Sequence, residues 1–192
     1  MIRAILISAA LLASACAPHR IQYYQLSAFE KQARIAEAGP TLVVARITTP
    51  EALQDGRIRY LEGPNEVGAY EYHRWTDPPG LLVKEALIQV LRASGTFRSV
   101  DEAGSSAAGD YSLRGKLLEF AEVDGAGMQT RVSLDFELRD TKTGRVVWSQ
   151  TLTHNEPLQA KKVSEVVQSL DRNLRGVLEQ AAAGIGAAIA AR

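Results

Sequence analysis

A single cysteine, Cys16, stands in the 192 residues, and one thiol cannot form an intramolecular disulfide. Histidine is nearly as scarce. His19 lies near the N-terminus, while His73 and His154 stand alone, with no cysteine or histidine at metal-ligand spacing. That pattern supplies no zinc site, and isolated histidines of this kind read as surface or edge-strand side chains. There is no Gly-x-Ser-x-Gly elbow, no P-loop and no dinucleotide fingerprint, so nothing positive points to catalysis and no catalytic residue is assigned. Charge of one sign is also missing, because 22 Lys and Arg balance 22 Asp and Glu. Without a basic block the chain has no electrostatic footprint for nucleic acid and no polybasic grip on anionic headgroups. Asp135 and Glu137 form the nearest approach to a carboxylate pair, but they alternate with Arg131 and Arg139 as a solvated strand face would. No apolar run at the N-terminus reaches the roughly 18–20 residues that span a bilayer.

What the N-terminus does contain is ordered. Arg3 is followed by an apolar run over residues 5–13, then by Ser14 and Ala15 before Cys16. Positive charge, a short hydrophobic stretch and small residues make a secretory signal. Leu12-Ala13-Ser14-Ala15-Cys16 resembles the lipobox of bacterial lipoproteins, with Ala13 where leucine is usual and Leu12 one place early. An ordinary cleaved signal with a chance cysteine is the other reading of these residues. The resemblance implies that Cys16 is the lipidation site, carrying a diacylglycerol (palmitate is the acyl group expected) and serving as the mature N-terminus. It also implies sorting to the outer membrane, since Ala17 rather than aspartate follows. The expected division is therefore residues 1–15 as signal peptide, 16–22 as lipidated N-terminus and short tether, and 23–192 as one domain. Each buried methylene contributes about 0.8 kcal/mol, so two or three acyl chains hold effectively permanently. A tether of about six residues reaches at most about 20 Å, which keeps the domain close to the lipid.

Along the mature chain, residues 22–26 read as a short strand and 28–38 as a loop or frayed turn. The β-branched run 41–47 predicts a central strand, and 57–60 a short one after it. Residues 70–75 alternate imperfectly, as a half-buried strand does. Asp77 and Pro78 then predict a helix N-cap and first turn. Leu82, Val83, Ala86, Leu87, Val90 and Leu91 fall on one helical face, with Gly95 as the C-terminal stop. Residues 101–109 predict a small-residue loop, and 111–123 a long strand whose alternation slips near residues 115–118, as at a bulge. Val132, Leu134, Phe136 and Leu138 alternate with polar residues in the cleanest strand. A turn at 140–144 leads to a third strand with Val146, Trp148 and Leu152 on one face. From about residue 161 to 190 the apolar positions recur at helical spacing, with Gly184 and Gly186 predicting a frayed end. The sum is an α+β domain, an antiparallel-rich mixed sheet with two main helices packed on one face.

Tyr23, Tyr24, Tyr70, Tyr72 and Trp75 are expected to gather near the sheet edge and the start of the first helix. Aromatic residues of this kind serve either as a partner-binding surface or as core residues with tethered polar tips. Tyr23-Tyr24-Gln25-Leu26, Ile58-Arg59-Tyr60, then Tyr70 through Arg74-Trp75-Thr76-Asp77-Pro78-Pro79 opening a helix, and Ser94-Gly95 with Phe97 and Val100, follow the lipobox in order. In that order they resemble the ABC-type transport auxiliary lipoprotein family, which includes paraquat-inducible and MCE-associated lipoproteins. Members often have alanine after the tryptophan, where this chain has Thr76 and Asp77. The resemblance implies a non-catalytic lipoprotein at the periplasmic face of the outer membrane. Its partners would be an MCE-domain protein and ABC transporter subunits, with self-association left open and no cofactor beyond the covalent lipid on Cys16. The rivals are a lipoprotein assisting lipopolysaccharide or outer-membrane protein assembly, a periplasmic lipid carrier, and a tethered hydrolase.

Overall fold

A computed structural model describes residues 20–28, 36–63, 65–104, 109–124 and 127–192. The expected signal at residues 1–15, Cys16, most of the 28–38 segment and residues 105–108 of the predicted loop lie outside the described residues. Among those described, the chain order is β1 (Gln22–Tyr24), β2 (Thr41–Thr48), β3 (Arg57–Glu62), β4 (Glu66–Trp75), α1 (Pro79–Ala93), β5 (Ser99–Glu102), β6 (Tyr111–Asp124), β7 (Met128–Asp140), β8 (Val146–Pro157) and α2 (Val163–Ala190). The eight strands form one mixed sheet, and both helices cover one of its faces.

β6 organises the sheet. Along its whole length it pairs antiparallel with β7, which pairs antiparallel with β8. On its other side two parallel strands follow one another. β2 pairs with Tyr111–Lys116 and β3 with Ala121–Asp124. Between them the chain leaves the sheet through Pro50 and a 3-10 turn, Glu51–Leu53. The sheet therefore forks: β5 extends the β2 arm in parallel, while β4 and then β1 extend the β3 arm. The fork coincides with the β6 bulge, where the register against β7 shifts between Leu117 and Glu119. The bulge keeps Leu113 and Leu117 on the helix side before it, and Phe120 after it, all essentially without exposure.

α1 starts in the notch of this fork. Gly80 lies against the end of β2, and a Cβ there would stand 2.7 Å from Thr49 Cγ2 and 3.2 Å from the Ile47 carbonyl oxygen. Glycine is what lets the helix start so close to the strand. The expected N-cap is displaced. Pro78 is extended (φ −54°, ψ 135°) and Pro79 opens the helix, with no side-chain hydrogen bond capping it. A residue preceding proline is pushed out of the helical region, so Pro79 delays the helix by one residue and strands Asp77 outside it. The other end matches expectation: Gly95 takes a positive φ of 71° just past the C-cap Ser94.

α2 packs across β6, β7 and β8. Val166, Leu170, Val177, Leu178, Ala181 and Ile185 meet Val132, Leu134, Phe136 and Leu138 in one continuous apolar layer. Gly184 and Gly186 do not end the helix, which continues to Ala190. Gly184 is a close-approach site, since a Cβ would come within 3.0 Å of the Trp148 indole. Val146 also departs from expectation. A register shift beside Val147 pairs Trp148 with Leu138 but Val146 with Arg139, so Val146 turns to the wet face and is 44% exposed.

Candidate functional site

The aromatic residues singled out in the sequence do collect at one edge of the sheet, though they do not share one environment. β1 pairs parallel with the end of β4, setting Gln22 opposite His73, Tyr23 opposite Arg74 and Tyr24 opposite Trp75. Alternation then divides them. Trp75, 2% exposed, faces the helices and lies 5.2 Å from Phe120 between ring centroids. It is a core residue, because the strand turns into the fork just before α1. Tyr24 lies on the same face, stacked 5.7 Å from His73, with its hydroxyl 2.9 Å from His73 Nδ1. Partial burial raises its phenol pKa. Tyr23 points the other way and is 62% exposed. Tyr72 is half-buried, and the neighbouring Glu71 carboxylate accepts its hydroxyl and raises its pKa.

Tyr70 leads inward. Its ring packs edge-on against Tyr60 at 5.4 Å and against His73 at 6.0 Å, and its hydroxyl donates to Glu122 Oε2. Burial, then the hydrogen bond and charge of Glu122, push the Tyr70 phenol well above its ordinary range. Glu122 itself is only 2% exposed. It stands in register with Thr130, whose hydroxyl bonds Ser169 at 2.5 Å and accepts from Asn173 Nδ2 at 2.8 Å. Two polar links, Tyr70 to Glu122 between β4 and β6 and Thr130 to Ser169 and Asn173 between β7 and α2, thus meet at neighbouring register positions of the sheet. The sequence carries no signal for them beyond an acid set inside the apolar stretch from Phe120 to Val123. Tyr60 packs directly over Gly68, which leaves the space that the ring occupies.

On the outward face of the same arm, Asp55 holds two arginines. Its carboxylate meets Arg57 Nε and Arg59 Nη2, each at 2.8 Å. Burial pushes its pKa up, but hydrogen bonds from Arg57 and the charge of Arg59 outweigh this and hold it below the usual range. At the mouth of β2 and β6, Thr41 and Asp110 bracket each other. Thr41 donates N–H and hydroxyl to Asp110 Oδ2 at 2.9 and 2.8 Å, and Asp110 N donates back to Thr41 Oγ1 at 2.9 Å. The carboxylates weighed as a pair are tied locally: Arg139 Nε bonds Glu137 at 2.6 Å and the Thr151 hydroxyl bonds Asp135 at 3.0 Å.

The described surface carries several grooves open to solvent. One, of about 390 Å³, lies between the C-terminal halves of the helices and is lined by small residues such as Ala93, Ala182, Ala183 and Gly186. Among the described residues no group of three or more His, Cys, Asp or Glu is placed to hold a metal ion, and no helix is long and apolar enough to cross a membrane.

A forked mixed sheet covered on one face by two helices is an arrangement found in solved structures. Protein XCC0632 from Xanthomonas campestris has a similar fold, with a TM-score of 0.75 and 18% identity over 86% of this chain and 96% of that one. The hypothetical protein CT253 from Chlamydia trachomatis is more distant, with a TM-score of 0.51 and 10% identity over 78% and 99% of the two chains. At such identities the likeness is one of fold alone. The sequence decides the family: the model of the ABC-type transport auxiliary lipoprotein component matches residues 24–182, and the chain belongs to that family. A comparison with curated proteins finds no match.

Proposed function

We propose that the protein is a non-catalytic lipoprotein of an ABC/MCE-type lipid transport system, held at the periplasmic face of the outer membrane by acylated Cys16 and docking the periplasmic assembly there. The observation that carries this reading is the family match over residues 24–182, which begins just beyond a lipobox-like sequence ending at Cys16. In this reading the partners are an MCE-domain protein and ABC transporter subunits. ATP hydrolysis belongs to the transporter, and the cargo is a phospholipid or another hydrophobic molecule. The covalent lipid on Cys16 is the one non-protein group required. A close-packed layer between sheet and helices, with Leu113, Leu134, Phe136, Leu170 and Leu178 all at 0% exposure, supports an adaptor over a carrier that stores lipid within its own fold.

Affinity purification from detergent-solubilised envelopes tests the assignment. The expected result is recovery of an MCE-domain protein together with the transporter ATPase. Recovery of outer-membrane assembly or lipopolysaccharide-export proteins, with no MCE subunit, would overturn it in favour of an assembly role. Two differently tagged copies in the same experiment report self-association.

A further inference from the structure

Five large apolar or aromatic side chains are prominently exposed among the described residues: Ile21, Tyr23, Val67, Leu81 and Val146. Val67, Leu81 and Val146 lie on β4, α1 and β8, and single exposed side chains of this kind need no explanation. Ile21 and Tyr23 differ because they are two residues apart on an extended segment and so face the same way. The β1–β4 register sets Gln22 level with His73 and Tyr23 level with Arg74, and the same register carried one residue before the strand brings Ile21 beside Tyr72. The outward face of this edge therefore presents Ile21 and Tyr23 with half-buried Tyr72 beside them, and exposed Arg20 just before. Tyr24, His73 and Trp75 turn inward and are accounted for by packing.

The length of chain before this patch selects its occupant. Cys16 and Ile21 are five residues apart, so Ile21 stays within about 18 Å of the anchor even when the connection is fully extended. An acylated Cys16 lies at the boundary between hydrocarbon and headgroups, and the headgroup layer is itself about 5–7 Å thick on each side. The β1 edge is thus the part of the domain held nearest the lipid. Tyrosine is favoured at headgroup depth, where its ring and hydroxyl find apolar and wet surroundings. Isoleucine gains by leaving water, and an arginine at that level extends its charged end towards phosphate.

We propose that the outward face of the β1–β4 edge, formed by Ile21, Tyr23 and Tyr72, is a membrane-contact surface that seats the domain in the headgroup layer of the bilayer holding its acyl chains. This deepens the lipoprotein reading and rests on acylation of Cys16. It fixes the orientation of the molecule: the β1 edge lies down on the lipid, and the β7–β8 turn stands away from it.

Site-directed spin labelling of the full acylated chain tests the surface. Because the Cys16 thiol is consumed in the thioether, Tyr23→Cys introduces one reactive thiol, at an exposed position where folding is not at stake. Lys142→Cys, in the β7–β8 turn, is the distant control. In vesicles of phosphatidylethanolamine and phosphatidylglycerol, the ratio of oxygen to water-soluble nickel collisions should be several-fold higher at position 23 than at position 142. Equal, water-like ratios at both positions, on protein whose mass includes the acyl chains, would overturn the membrane contact while leaving the anchor intact. Protein without the acyl mass that remains in the supernatant would instead overturn the lipoprotein reading itself.

Discussion

Tyr70 and Glu122 show how much one buried pair can decide. Tyr70→Phe removes the donor to a carboxyl group that is 2% exposed, and leaving a buried polar group unsatisfied costs about 1–3 kcal/mol. Urea denaturation at neutral pH should register that loss. The pair also sets an alkaline limit. The folded phenol titrates above its ordinary value of 10.0, so below that value its contribution is fully present. Above it the unfolded chain ionises while the folded phenol keeps its proton, and stability falls as pH rises. Tyr70→Phe should make this decline shallower in denaturation midpoints measured from pH 9 upward; an unchanged slope would assign the decline to other groups. Neither partner was legible in the sequence as half of a pair, because 52 positions separate them and only the sheet register joins them. Trp75 was legible as an aromatic of interest, but its inward direction follows from the position of the fork.

Elements reveal where helical and strand periodicity was sufficient and where it was not. The alternation of Val132, Leu134, Phe136 and Leu138 required only that β7 have one buried side. The slipped alternation in β6 announced its bulge, since one extra residue must return apolar side chains to the same face. α2 marks the limit. Read locally, Gly184 and Gly186 each cost about 1 kcal/mol relative to alanine, which predicts fraying. The packed structure reverses this by placing Gly184 against Trp148 and burying Ile185 completely. Backbone amides around Gly186 should accordingly exchange slowly, on the scale of the helix interior; rapid exchange from Gly184 onward would restore the local reading. Within the same helix, Leu170→Ala removes a side chain at 0% exposure and should cost about 2–5 kcal/mol in equilibrium unfolding.

For the whole molecule, the central expectation is a separation of folding from location. The described domain has its own continuous core, while the proposed anchor at Cys16 lies before the first strand. Cys16→Ser should therefore leave the far-UV spectrum and thermal midpoint of the domain unchanged and move the protein from the membrane fraction to the soluble one. Retention of the variant in membranes would identify a different anchor. The forked sheet itself was not legible as such. Sequence order places the last three strands one after another, and β6, β7 and β8 do pair antiparallel in that order, whereas β2 and β3 share one side of β6 as consecutive parallel strands, a relation between segments that no local pattern encodes.

By itself the sequence determined the lone thiol, the family, the order of most strands and helices, and the α+β class. Each of these is written in local spacing or residue type. Tertiary structure alone decided which aromatic residues turn inward, how Glu122 finds a donor, where α1 begins and why the glycines of α2 sit within a helix. Those outcomes depend on side-chain volume and hydrogen-bonding partners brought together from distant segments. Neither is present until the sheet has assembled around β6.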